Sequence, residues 1–130
     1  MRVLKFGGSS LADADRFLRV SDIVVNTQKQ AQVALVLSAP AKVTNHLVAL
    51  VEQTSRGLDA SGTLTEIEGI FTRLIDGLKA KYAALDDAKL KVRMEQEFGV
   101  VRRQMQGITL LGQCPDNIQA QILSRGEALS

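Results

Sequence analysis

The run Lys5-Phe6-Gly7-Gly8-Ser9-Ser10 places a lysine, two glycines and two hydroxyls next to one another. Glycines let a backbone approach a ligand closely and turn its amides toward an anion. A helix that follows would add its N-terminal amides and its dipole. A lysine there can neutralise the oxygens of a phosphoryl group in transfer. The residue order is not that of a Walker A loop. By residue type alone the run is either a phosphate cradle or a plain turn after a strand. A second run, Ser38-Ala39-Pro40-Ala41-Lys42-Val43-Thr44-Asn45, lies between an apolar stretch and a helix start. In open α/β sheets, ligands bind outside the C-terminal ends of the strands. Both runs fall there if the two preceding strands are parallel. A third run, Arg125-Gly126-Glu127, offers a carboxylate at a helix start. It can receive an ammonium group or remain a solvated surface acid.

Other reactive side chains read more plainly. His46 has no visible orienting partner for general-base work and reads as a surface or packing residue beside a helix cap. Cys114 precedes a proline and reads as a packed thiol. Asp86-Asp87 reads as a solvated helix start rather than a metal pair. One cysteine and one histidine cannot make a thiolate zinc site, so no metal ligands are assigned.

These runs need elements to hold them. Arg2 to Phe6 is short and β-prone and meets Gly7-Gly8, which predicts strand then turn. Ser9-Ser10 can cap a helix over Leu11 to Gln28, whose Ala14, Phe17, Leu18, Ser21, Val24 and Val25 recur at helical spacing. Val33-Ala34-Leu35-Val36-Leu37 is continuously apolar and predicts a buried strand. Pro40 restrains Ala39 away from helical dihedrals. Thr44 or Asn45 can then cap a helix carrying Leu47, Val48, Leu50 and Val51 and ending near Gly57. After a linker over Leu58 to Gly62, Thr63 and Glu66 form a capping-box pattern. The stripe that follows runs from Leu64 through Ile67, Ile70, Phe71, Leu74 and Ile75 to Leu78. Gly69 and Gly77 cost about 1 kcal/mol each in a helix interior and predict irregular ends. A second stripe, Leu90, Met94, Phe98, Val101 and Met105, predicts a helical hairpin with the first. Gly107 to Gly112 reads as either an apolar turn or a short extended piece. Pro115 and Asp116 start another helix, with Ile118, Ile122 and Leu123 facing inward. Gly126 is expected to interrupt it, and Glu127 to Ser130 to begin a further one. Strand, helix, strand, helix, long helical pair, helix is an α/β order with a parallel sheet begun and not finished. Such a half-sheet would leave an open strand edge that invites association.

Composition narrows the function class. The 130 residues and 45% hydrophobic content suffice for one domain with a core. A net charge of +2, with acids and bases interleaved, gives no groove for nucleic acid. No stretch reaches the ~18 apolar residues of a membrane helix, and the first residues are too briefly apolar for a secretory signal. With a single cysteine, a reduced, cytoplasmic setting is the expectation.

Taken together, Lys5 through Asp13, Val36 to Ala39 through Thr44-Asn45, and Gly126-Glu127 with Ser130 resemble the aspartate kinases, most of all the kinase region of those joined to a homoserine dehydrogenase. The resemblance runs from Met1 to Ser130. It implies the amino-acid kinase (carbamate-kinase-like) α/β/α sandwich with a mostly parallel sheet. It also implies transfer of the ATP γ-phosphoryl, with Mg²⁺, to the side-chain carboxylate of L-aspartate, giving 4-phospho-L-aspartate for lysine, threonine and methionine biosynthesis. By that resemblance Lys5 is the catalytic lysine that stabilises the phosphoryl group. Gly7, Gly8 and Ser10 line the phosphates. Ser38, Ala39 and Thr44 adjoin the substrate, and Glu127 binds its amino group. Ser9 stands where the family usually has threonine. The family's later phosphate loop, substrate arginine, adenine-binding segments and ACT regulatory domains have no counterpart in residues 1–130. The resemblance therefore implies the N-terminal part of a catalytic domain, inactive by itself and expected to form homo-oligomers in its full form. Two other readings stand beside it. One is a non-catalytic binding or self-associating module derived from such a domain. The other is a member of the same superfamily acting on a different acid.

Overall fold

A computed structural model describes residues 1–130. Two strands, β1 (Arg2–Phe6) and β2 (Val33–Leu37), pair in parallel, with Arg2 level with Val33 and Phe6 level with Leu37. Parallel pairing needs a crossover, and helix α1 (Ala14–Gln28) supplies it. The strand bounds and the βαβ order match the expectation. The burial of β2 does not. Leu35 and Val36 are 45% and 46% exposed, and no residue of either strand is fully buried. Helix α1 makes the main helical contact with β2, and one helix covers only one face of a strand.

The core sits among the helices instead. Helices α2 (Val43–Ser55), α3 (Ser61–Lys81) and α4 (Asp87–Leu111) pack on one another, and α5 (Asp116–Leu123) packs on α2. Leu47, Leu50, Ile67, Phe98, Val101, Ile108 and Ile122 are fully enclosed there. Phe71 and Phe98 meet with ring centroids 6.0 Å apart and tilted by 55°, a geometry aromatic quadrupoles favour. The buried Thr54 hydroxyl donates to the Leu50 carbonyl at 2.6 Å, so it enters the core satisfied. The short α6 (Arg125–Leu129) follows α5 directly.

Several local expectations give way to particular contacts. Ser9 and Ser10 do not cap α1. They lie in a 3-10 turn over Gly8–Leu11, and the Asp13 carboxylate accepts the Arg16 amide at 2.9 Å. Val20, absent from the expected stripe, is the buried residue of α1, while Val25 is half exposed. Thr63 forms no capping box; its hydroxyl donates to Gln53 of α2 at 2.7 Å, and α3 begins at Ser61 behind Asp59. Gly77 does not disorder α3. A Cβ there would lie 2.7 Å from Ala14 Cβ, so glycine lets α1 and α3 touch. Lys81 and Asp15 pair across the same contact. The stretch Gly107 to Leu111 continues α4, whose apolar stripe reaches Ile108. Gly112 then ends the helix at φ 72°, its amide reaching the Ile108 carbonyl at 2.8 Å.

Candidate functional site

Because β1 and β2 are parallel, both end on one side of the sheet. The Ser38 amide donates to the Phe6 carbonyl at 3.0 Å, so the segments after the strands start side by side. They remain in contact. A Cβ on Gly8 would sit 2.9 Å from the Ala39 carbonyl oxygen and 3.5 Å from Ala41 Cα. Gly8 is therefore needed by the second loop's backbone. Gly7 is different. It has an ordinary φ of −83°, and a Cβ there would meet nothing within 4 Å. No packing contact in the chain calls for glycine at position 7, and the space before it is open to a bound group.

The third run arrives at the same place. A Cβ on Gly126 would lie 2.6 Å from Ala39 Cβ and 2.9 Å from Val43 Cγ1. Gly126 is thus a contact inside α6, not the helix break expected from its type. The Ser130 hydroxyl lies 2.7 Å from the Ser38 carbonyl oxygen and 3.1 Å from that of Gly126. Three runs far apart in the chain converge beyond the strand ends.

Within this junction, Lys5 is exposed near the end of β1, level with Val36, and belongs to none of the chain's salt bridges. Ser10 lies in the 3-10 turn, its amide donating to the Gly7 carbonyl at 3.1 Å. Ala39 is buried and Ser38 half-buried. Thr44 is exposed in the first turn of α2, beside the Val43 that faces Gly126. Glu127 is exposed on α6.

The geometry alters two readings of this region. The N-terminus of α1 is occupied by its own Asp13 carboxylate, so the amides nearest the glycines are those of the 3-10 turn. Neither Thr44 nor Asn45 caps α2. Its first turn follows Lys42, which holds φ at 72°. For a non-glycine residue that left-handed conformation is costly, and such strain gathers at functional loops. His46 does have a partner, with Nδ1 3.4 Å from Glu66 Oε2 of α3.

Residue types alone also pass over Arg16. Its guanidinium donates to the Ser9 carbonyl at 2.8 Å and so ties the 3-10 turn to α1. With Phe6, Ser9, Ser10 and Arg19 it borders a cleft of about 400 Å³. The available signal is spacing: Arg16 and Arg19 are three apart and share a helix face. A second cleft of about 570 Å³, between the α2–α3 connection and α4, is lined by Leu58, Arg102 and Thr109 and holds none of the motif residues. Cys114 is half-buried; burial and then the nearby Asp116 charge push its thiol pKa up, which suits a packed thiol rather than a nucleophile.

Comparison with known proteins bears on what such a junction serves. Residues 1–129 match the amino acid kinase family. A bifunctional aspartokinase/homoserine dehydrogenase from Buchnera aphidicola is 44% identical over 130 residues, which are all of this chain and 16% of that protein. Among solved structures, Escherichia coli aspartokinase III in complex with lysine and aspartate (T-state) superposes with a TM-score of 0.77 at 27% identity. The match covers 98% of this chain and 26% of that one. The same enzyme with aspartate and ADP (R-state) gives a TM-score of 0.75 at 29% identity, with the same coverage. The chain thus spans a small part of the length of its relatives. With nearly every residue matched and the βαβ site at the strand ends, this chain belongs to the amino acid kinase family.

Proposed function

We propose that these residues form the N-terminal part of an aspartate kinase catalytic domain, whose full form transfers the ATP γ-phosphoryl to the side-chain carboxylate of L-aspartate. The observation that carries the reading is the convergence of the Gly7–Ser10 turn, the Ser38–Thr44 loop and α6 beyond two parallel strand ends. The relatives' names and the aspartate and ADP bound to the similar E. coli enzyme support it. The bond that forms joins a carboxylate oxygen to the γ-phosphorus; the bond that breaks joins that phosphorus to the β–γ bridging oxygen, and ADP leaves. A carboxylate is already a nucleophile, so the protein's share is positioning and charge neutralisation. Lys5 supplies the cation. Gly7 leaves room for phosphate oxygens beside the 3-10 turn amides, and Ser10 belongs to that turn. Ser38, Ala39 and Thr44 wall the substrate side, and Glu127 receives the substrate ammonium. Mg²⁺ would be held mainly by the nucleotide phosphates and by waters, with one or two protein carboxylates at most. The chain's own residues contain no group of three His, Cys, Asp or Glu able to hold a metal.

The test is aspartate-dependent phosphoryl transfer from Mg-ATP, trapped as the hydroxamate with hydroxylamine. In the full-length polypeptide, Lys5→Ala is expected to lower kcat by roughly 10²–10³-fold, the usual cost of removing a charge-stabilising group. An unchanged kcat would overturn the role of Lys5. The 130 residues alone are expected to give no hydroxamate above their own Lys5→Ala control. Activity there would show that the downstream segments are dispensable.

A further inference from the structure

One anchor of α6 comes from a distant helix. Arg125, its first residue, donates through Nη1 to Glu97 Oε2 of α4 at 2.6 Å. The other oxygen of Glu97 is 3.2 Å from Arg93 Nε, so one carboxylate holds two guanidiniums. The Glu97 and Arg125 side chains are only 16% and 23% exposed, where salt and water screen a charge pair less than at the surface. The other contacts of α6 include Gly126 on Ala39 and Val43, Ser130 on Ser38, and Leu129 against the helical core, but Arg125 on Glu97 is its only ion pair. Two residues along a helix is about 200° of rotation, so Arg125 gripping α4 turns Glu127 to the opposite side. Glu127 is indeed exposed there.

We infer that Glu97, acting through Arg125, is a positioning residue that sets where Glu127 presents its carboxylate, and thereby sets affinity for the amino-acid substrate without touching it. The inference rests on the aspartate kinase reading and on Glu127 as the ammonium acceptor. Its signature is selective. The pair bears on α6 and not on Lys5 or the Gly7–Ser10 turn, so the amino-acid KM should move while the nucleotide KM and kcat do not.

The measurement is steady-state kinetics of the full-length enzyme carrying Glu97→Gln, Glu97→Asp, Glu127→Gln or Glu97→Gln with Glu127→Gln. Glu97→Gln is expected to raise the aspartate KM about tenfold, by analogy with the loss when a group that orients a metal ligand is removed. Glu97→Asp, which keeps the charge, should restore most of that loss, and the double variant should be no worse than Glu127→Gln alone. If Glu97→Gln fails to fold, Arg125→Lys reads the same selectivity. A parallel rise in both KM values with a fall in kcat would mean a general folding role and overturn the inference. A raised aspartate KM in Glu127→Gln with none in Glu97→Gln would overturn it while leaving the kinase reading standing. An unchanged aspartate KM in Glu127→Gln would overturn both the ammonium site and the inference.

Discussion

Adjacent glycines in this site are glycine for different reasons, and the difference can be measured. At Gly8 an added methyl would press on the Ala39 carbonyl oxygen at 2.9 Å, a backbone atom that cannot swing away. At Gly7 the same methyl meets nothing within 4 Å and the backbone already sits where any residue can. Gly8→Ala is therefore expected to cost about 1–3 kcal/mol of stability, the usual range for overpacking. Gly7→Ala is expected to stay within about 0.5 kcal/mol of the parent, since surface changes without a structural role rarely do more. On the proposed kinase reading, its penalty should instead fall on the nucleotide KM, because the methyl would fill the space that reading gives to a phosphate. Thermal unfolding separates the two variants first, and nucleotide kinetics of the folded Gly7→Ala protein completes the comparison. The paired glycines are visible in the sequence, but their division of labour is not. It depends on which backbone lies opposite, and Ala39 is about thirty residues away.

Element type was legible from periodicity; element ends were not. The continuous apolar run at Val33–Leu37 and the helical stripes of α2 to α4 follow directly from spacing. Caps depend on single contacts that compete. Thr63 and Glu66 make a good capping-box pattern, yet Thr63 spends its hydroxyl on Gln53, and Asp13 rather than Ser9 or Ser10 takes the α1 terminus. Gly77 and Gly126 look like breaks in sequence and act as contact points, because helix crossings need a missing side chain as much as turns do. The start of α2 is the sharpest case. Lys42 occupies the left-handed region where glycine is at ease. Lys42→Gly should relieve roughly 1–2 kcal/mol of steric cost and lose roughly 0.5–1 kcal/mol to chain entropy. The net expectation is a small gain in melting temperature. Lys42→Val, branched at Cβ, should instead fall below the parent. A Lys42→Gly variant less stable than the parent by more than the chain-entropy cost would mean that the lysine side chain itself holds the loop.

At the scale of the whole molecule, the sheet carries the site and the helices carry the stability. Three runs that sequence singled out separately meet because two parallel strands end together and a buried α2 holds the second loop and α6 against each other. That meeting could be anticipated from the βαβ order, whereas the location of the core could not. An apolar strand normally signals a buried sheet centre, but here Leu35 is 45% exposed while Phe98 is 1% exposed. The same size of truncation should then have unequal effects. Phe98→Ala empties a site enclosed by α2, α3 and α4 and removes the ring against Phe71, at a cost of about 3–5 kcal/mol. Leu35→Ala removes a side chain that water already reaches, and with roughly half its area to lose should cost about 1 kcal/mol. Urea unfolding followed by far-ultraviolet circular dichroism gives both values from their midpoints, provided the slopes agree. The expected order places Phe98→Ala far below Leu35→Ala. The reverse order would mean that the strands are buried in solution by a surface this structure leaves open. The helical core would then be the lesser contributor, and the convergence of the three loops would rest on the sheet rather than on α2.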